Sequence, residues 1–246
     1  MKNPTITAIV LSYNRPRMLR EALGSIKNAD EVIVVDDGSD FDVQSIVKDF
    51  KFPSLSIIGA PRIHVEERIT KQRLPELVNE ALGQAQGDII TYLCDDDLFG
   101  ETWFTDLKDF YSKHGEKYHW VRGHCIRFES DNNLTFEEQT KHLLVWKESP
   151  RQLITGNFAH LRKCFTEEKI MWDETKVWGH DTAFFDNTEK FHDTWCIPLI
   201  PTIACFRRIH KKMLTNHSFL NPDGSMSLEK LSEGAQKMIK ENKFLE

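Results

Sequence analysis

"TAIVLS" at residues 7–12 leads almost directly into "RPRMLREALGSI" at 15–26, and "EVIVVDD" follows at 31–37. The outer two are short β-branched runs of the kind that become buried strands. The middle one sets Met18, Leu19, Ala22, Leu23 and Ile26 on one face at helical spacing. Asn14 is the expected N-cap of that helix, with Pro16 in its first turn. The alternation continues. "FDVQSIVKDF" (41–50) reads as a helix with Val43, Ile46, Val47 and Phe50 inward, and "LSIIG" (55–59) as a third strand. "LPELVNEALGQA" (74–85) is a helix with Leu74, Leu77, Val78, Ala81, Leu82 and Ala85 inward, closed by Gly87, and "DIITYLC" (88–94) is a fourth strand. Strands alternating with helices imply an α/β chain, a parallel sheet with helices on both faces.

Further along, residues 101–113 have helical spacing through Trp103, Phe104, Leu107 and Phe110, and "HWVRGHCIRF" (119–128) reads as a strand. The pattern weakens over 128–155, a loop-rich insertion, and regular structure resumes over 158–210. After the turn "NPDG", residues 226–240 form an amphipathic helix through Leu228, Leu231, Ala235, Met238 and Ile239, suited to packing or to contact between copies. The expected division is one domain over 1–218, split near residue 100 into two halves, with a helical extension over 219–246.

Composition narrows the function classes. At 246 residues, 40% hydrophobic and 28% charged, the chain is an ordinary globular protein able to bury a core. A net charge of −6 gives no overall attraction to nucleic acid or an acidic membrane, although a local basic patch still could. The five cysteines are odd in number and form no C-x-x-C, which argues against a disulfide framework or a zinc knuckle and for a reducing cytoplasm. The apolar run "ITAIVL" is too short for a signal-peptide core or a membrane span. Without a secretory signal, the acceptor patterns at Asn133 and Asn216 are read as chance.

In an open parallel sheet, ligands bind beyond the carboxyl ends of the strands. Three strands here end in polar residues suited to a nucleotide: Ser12-Tyr13-Asn14-Arg15, Asp36-Asp37-Gly38-Ser39 and Asp95-Asp96-Asp97. An aspartate accepts a nucleobase N–H or ribose hydroxyls, adjacent carboxylates bind a divalent metal that neutralises a diphosphate, and Tyr13 offers a stacking face. A dinucleotide fold is excluded by the missing G-x-G-x-x-G, and a P-loop by the missing G-x-x-x-x-G-K.

"TAIVLSYNRP", "VIVVDDGSD", "NEALGQAQGDIITYLCDDD" and "WDETKVWGHDTAFF" fall in the order and spacing of family 2 glycosyltransferases, and the chain resembles that family over roughly residues 5–210. The resemblance implies a GT-A fold and inverting transfer from a nucleotide-diphosphate sugar, usually UDP-linked, assisted by Mn²⁺ or Mg²⁺. It implies that Tyr13 and Asp37 contact the base, Asp96 the ribose and Asp97 the metal, with Asp95 and Asp97 in the D-x-D positions. Ser12, Asn14, Arg15 and Asp36 complete the nucleotide-side set. The general base matches Asp181 in "WGHDTAFF", where His180 stands in place of the more usual glutamate. As in some GT-A enzymes, His210 or His217 is a candidate to complete the metal shell, and "RRIHKK" (207–212) to pair with the diphosphate. Arg68, Lys71 and Arg73, flanked by Glu66 and Glu67, are read as a solvated face. Trp172 and Trp178 are candidates to shape the acceptor site.

Two other classes compete. A nucleotidyltransferase shares the sheet and acidic site but usually has a glycine-rich basic turn after strand one, which "SYNRP" lacks. A non-catalytic binding protein of the same fold would have no use for a base at Asp181. The acceptor, whether glycan, lipid carrier, protein or modified nucleic acid, is open from sequence.

Overall fold

The structure is a computed structural model, and it describes residues 1–63, 67, 73–129, 144–145, 154–175, 184 and 197–209. The elements run β1 (Ile6–Ser12), α1 (Pro16–Ser25), β2 (Glu31–Asp36), α2 (Val43–Val47), β3 (Ser54–Gly59), α3 (Leu74–Gln84) and β4 (Ile89–Cys94). Then come β5 (Leu98–Phe99), α4 (Trp103–His114), β6 (Trp120–Glu129), β7 (Leu144–Val145), β8 (Phe158–Leu161), α5 (Lys163–Thr166) and β9 (Leu199–Ile209).

Among the described residues the strands form one sheet in the order β3-β2-β1-β4-β8-β6-β9-β5, with β7 paired to β6 off that path. The first four are parallel, as the alternation implies. Beyond β4 the sheet is mixed: β8 is antiparallel to β4 and β6, β9 is parallel to β6, and β5 is antiparallel to β9. The chain leaves β1 toward β2 and β3, then returns to lay β4 on the other side of β1. That reversal opens a crevice at the carboxyl ends of β1 and β4, where ligands bind in such sheets.

β1 is buried along its whole length, as is β2 up to Val35, which explains their unbroken apolar runs. From α1, Leu19, Ala22 and Leu23 reach the core. α2 is shorter than the spacing suggests: after Val47 the backbone tightens, with Asp49 and Phe50 N–H donating three residues back. Phe50 thereby turns to stack on Phe52, 6.2 Å away, at the edge of the core.

Gly87 does not close α3, which ends at Gln84 with Ala85 as its cap. Its role is close approach. A Cβ there would lie 2.5 Å from Thr7 N, and Gly87 N–H instead donates to Thr7 Oγ1 at 2.9 Å. The same hydroxyl donates to the buried Glu31 carboxylate at 2.6 Å, which also accepts from Gln86 N–H. This small polar knot ties β1, β2 and the entry to β4.

The far half of the core is aromatic. Tyr92, Trp120, Phe158, His160, Trp172 and Phe184 pack with ring centroids 4.5–6.3 Å apart. Trp172 is buried and stacked on Phe184, so it belongs to this core and not to an acceptor surface. Trp178 lies outside the described residues, as do the C-terminal helix over 226–240 and most of the 128–155 insertion.

Candidate active site

Strand register aligns the three polar strand ends: Ser12 pairs with Asp36 across β1 and β2, and Leu11 with Cys94 across β1 and β4. The backbone N–H of Asp37 donates to Ser12 O, and that of Asp95 to Leu11 O, so both acids sit one step beyond their strands.

Asn14 is not the N-cap. Arg15 occupies that position without a side-chain cap, and Pro16 opens the helix as expected. Asn14 takes a left-handed conformation at φ 52°, which asparagine tolerates better than most residues. Its side-chain Oδ1 accepts from Asp40 N–H, while its backbone N–H donates to Ser39 Oγ. Asp36 accepts from the Ser39 hydroxyl at 2.5 Å. Asn14, Asp36 and Ser39 therefore brace the turn that presents Asp37.

Arg73 clasps that turn. Its guanidinium lies 3.2 Å from the Asp37 carboxylate and donates to the Pro61 and Asp37 carbonyls. The reading of a solvated face fails here, because Arg73 is the helix-entry residue beside the β2 end and finds an anion and two carbonyls there. Arg68 and Lys71 lie outside the described residues.

On the β4 side, Asp95 is only 1% exposed, and each of its oxygens accepts a hydrogen bond, one from Tyr13 N–H and one from Arg15 Nη1, both at 2.8 Å. Arg15 also lies 3.4 Å from Asp96. Burial pushes Asp95 up to about 6, against the pull of Arg15. Burial, reinforced by the Asp96 charge, holds Asp97 well above the usual carboxylate range. The Cys94 thiol is pushed up by burial and the three neighbouring acids. Ligand atoms of Cys94, Asp96 and Asp97 all lie within 4.8 Å of one another. Oxygen donors so close together suit a hard divalent cation, and repulsion between these buried carboxylates is what such an ion relieves.

Arg208 was not a separate candidate in the sequence, where "RRIHKK" is read as facing a diphosphate. The side chain turns inward and is 3% exposed. Its backbone N–H donates to Asp97 Oδ1 at 2.9 Å, Nε to Asp96 O at 3.0 Å, and Nη2 to Glu21 at 2.5 Å. Arg208 thus fixes the acidic turn and joins it to α1. Arg207 is half-buried, and its charge favours the ionised form of Asp97.

Of the residues the sequence singles out, the structure brings Ser12, Tyr13, Asn14, Arg15, Asp36, Asp37, Asp95, Asp96 and Asp97 to one crevice. The Ser12 hydroxyl there is buried with no hydrogen-bond partner among the described residues. Asp181, His210 and His217 lie outside the described residues.

A crevice lined by acids at the switch point of a mixed α/β sheet is the architecture of a GT-A fold. The chain belongs to glycosyl transferase family 2, whose profile matches residues 7–173. It is similar to the GalNAc(5)-diNAcBac-PP-undecaprenol beta-1,3-glucosyltransferase of Campylobacter jejuni subsp. jejuni serotype O:2. The two are 33% identical over 197 residues, covering 76% of this chain and 60% of that protein. Similarity to protein CgeD of Bacillus subtilis is 28% over 98 residues, 38% of this chain and 23% of that one. Among solved structures, S. aureus TarS 1-349 in complex with UDP-GlcNAc superposes with a TM-score of 0.66 at 17% identity, covering 89% of this chain and 62% of that one. Its complex with UDP gives 0.60 at 16%, over 85% and 61%. At that identity the likeness establishes the GT-A fold. The chain spans less than two thirds of the length of each of these proteins.

Proposed function

We propose that this chain transfers a sugar from a UDP-sugar to an acceptor hydroxyl, with inversion at the anomeric carbon and with Mn²⁺ or Mg²⁺ as cofactor. The observation that carries the reading is the division of the crevice into two stations. Asp37, clasped by Arg73, stands at the end of β2, and Asp95–Asp97 stand beside Arg15 at the end of β4, with Tyr13 between them at the end of β1, its N–H donating to Asp95. Asp37 suits a uracil N–H, Tyr13 a base face, and Asp96 a ribose hydroxyl. Membership of the family supports this assignment, as do a relative named as a glucosyltransferase and a neighbour crystallised with UDP-GlcNAc.

Asp97 and Asp96 would hold the cation, while Asp95, with both oxygens already accepting hydrogen bonds, anchors the turn. When bound, the cation would neutralise the diphosphate leaving group. Asp181 would take the acceptor proton as the hydroxyl attacks opposite the diphosphate, and His210 or His217 would complete the cation's shell. Residues 1–100 then serve the nucleotide and 101–218 the acceptor, with 219–246 as an extension through which copies pair. Cys94, Cys125 and Cys164 are free thiols, in keeping with a cytoplasmic setting. No helix among the described residues is long and apolar enough to cross a membrane. The acceptor class the relative's name favours is a glycan on a polyprenyl diphosphate.

The test is a panel of UDP-sugars against polyprenyl-diphosphate glycans and free glycans, with products read by mass spectrometry. A mass gain of one sugar together with released UDP is expected. Neither transfer nor UDP release with any donor would overturn the reading.

A further inference from the structure

A second group of ligating side chains lies at the opposite end of the sheet. His119 directly precedes β6, Cys164 is buried within α5, and Glu168 follows that helix. One ligand atom from each lies within 4.8 Å of the other two. His119 Nδ1 is 2.7 Å from Glu168 Oε1, and Glu168 also accepts from the Cys164 thiol. The backbone that carries them is already fixed. Leu161 N–H donates to His119 O at 2.9 Å, Glu168 N–H to Lys163 O at 3.1 Å, and Ile170 N–H to Cys164 O at 2.9 Å.

Leu161 pairs with Ile89, at the amino end of β4, whereas Asp95 follows its carboxyl end. A six-residue strand separates the two groups by about 20 Å, so no ion held here touches a nucleotide in the crevice.

We propose that His119, Cys164 and Glu168 form a separate cation site for Zn²⁺ or a similar borderline ion such as Co²⁺, with water in the fourth position. The donor set decides the ion. Nitrogen, sulfur and a single carboxylate are what zinc takes, whereas Mg²⁺ and Ca²⁺ require more oxygen. An ion pair between His119 and Glu168 needs no third partner, yet a buried thiol is held against it. Tetrahedral zinc spaces its N, O and S donors about 3.3–3.6 Å apart. The present spacings, 2.7 Å for one pair and at most 4.8 Å for the others, are reached from there by shifts of roughly 1 Å in side chains. The ion would staple the start of β6 to α5 and the turn after it, a stabilising role and not a catalytic one.

The test uses the untagged full-length chain in a Cys94→Ser background, which removes the thiol beside the acidic crevice. Co²⁺ is expected to bind with a sulfur-to-cobalt charge-transfer band that Zn²⁺ displaces and Mg²⁺ does not. Zn²⁺ at about a hundredfold excess over its Kd should raise Tm by roughly 5–10 °C. Cys164→Ser should abolish the band, and His119→Gln should weaken Zn²⁺ binding at least tenfold with unchanged far-UV circular dichroism. Asp97→Asn should leave both readouts in place. Absence of the band, its survival in Cys164→Ser, or an undiminished Zn²⁺ affinity in His119→Gln would each overturn the proposal. If Cys164→Ser fails to fold, His119→Gln alone decides.

Discussion

Three aspartates in a row at the end of β4 are tolerable because each has a partner. Asp95 has Tyr13 and Arg15, Asp96 has Arg15, and Asp97 has the backbone of Arg208. Asp97→Asn should therefore fold but lose Mn²⁺-dependent UDP binding, and the wild type should lose transfer in EDTA and regain it with Mn²⁺. Full activity in EDTA would remove Asp97 from the metal. The pH dependence has a definite sign. The folded chain keeps a proton on Asp95 up to about pH 6, whereas the unperturbed value is 3.8. A cation held at Asp96 and Asp97 favours the ionised form of the neighbouring Asp95, so its binding must weaken as pH falls through about 6 and must release protons near that pH. Calorimetry in buffers of different ionisation enthalpy reads this directly, and proton-neutral binding at pH 6 would contradict it. Asp181→Asn should bind UDP normally yet transfer roughly 10²–10⁴ times more slowly, the usual worth of a positioned base. Retention of more than a tenth of wild-type turnover, with chemistry rate-limiting, would place the base elsewhere and make His180 the next residue to test.

At the scale of elements, α3 and β8 carry more than their lengths suggest. Asn79 on α3 is buried and grips the 172–174 segment from both sides. Its Nδ2 donates to Trp172 O and Glu174, and its Oδ1 accepts Trp172 N–H. Asn79→Ala leaves buried backbone groups of Trp172 unpaired, so a loss of about 1–3 kcal/mol is expected in urea unfolding. A change below the error of the method would show that the segment is held otherwise. On β8, His160 Nδ1 faces Leu161 O, which can only accept, so that nitrogen carries the proton and Nε2 accepts from the Tyr92 hydroxyl. Burial drives His160 down to about 4 from an ordinary 6.5. The unfolded chain takes up its proton first on acidification, so this contribution to stability is whole above pH 6.5 and drains away toward pH 4. On the order of 3 kcal/mol is at stake. Asp95 titrates in part of the same window with the opposite sign, so the measurement is the difference between wild type and His160→Gln. That difference should shrink as pH falls. One constant from pH 7 to 4 would rule out a neutral buried imidazole.

For the whole molecule, the parallel half was legible in the sequence because its information is local. Unbroken β-branched runs and helical spacings name β1 to β4, and polar residues at strand ends mark the crevice. What was missed depends on contacts far along the chain. Nothing in "CFRRI" tells which arginine turns inward, because burial of Arg208 rests on Glu21, 187 residues away. Arg73 sits among charges that look solvated until β2 and β3 bring Asp37 and Pro61 to it. β8 is only four residues, too short for a period to announce its antiparallel place beside β4. At this scale the proposed base station predicts a preference: UDP should bind more tightly than GDP or ADP, since Asp37 suits the uracil N–H and a purine presents a different edge. A mismatched hydrogen bond costs about 0.5–1.5 kcal/mol. Equal affinity for GDP or ADP would discard the assignment of Asp37 to the base.

The bond from Arg208 to Asp97 spans 111 residues, and that separation bears on the order in which the protein is made. On a ribosome adding about 5–20 residues each second, between roughly 6 and 22 s elapse after Asp97 is synthesised before Arg208 exists. β1 to β4 can pair in that interval, because every partner they need has already been translated. The acidic turn cannot settle. A nascent chain halted before β9 would carry a finished Asp37 turn beside unsecured carboxylates, so the crevice is completed last, with β9.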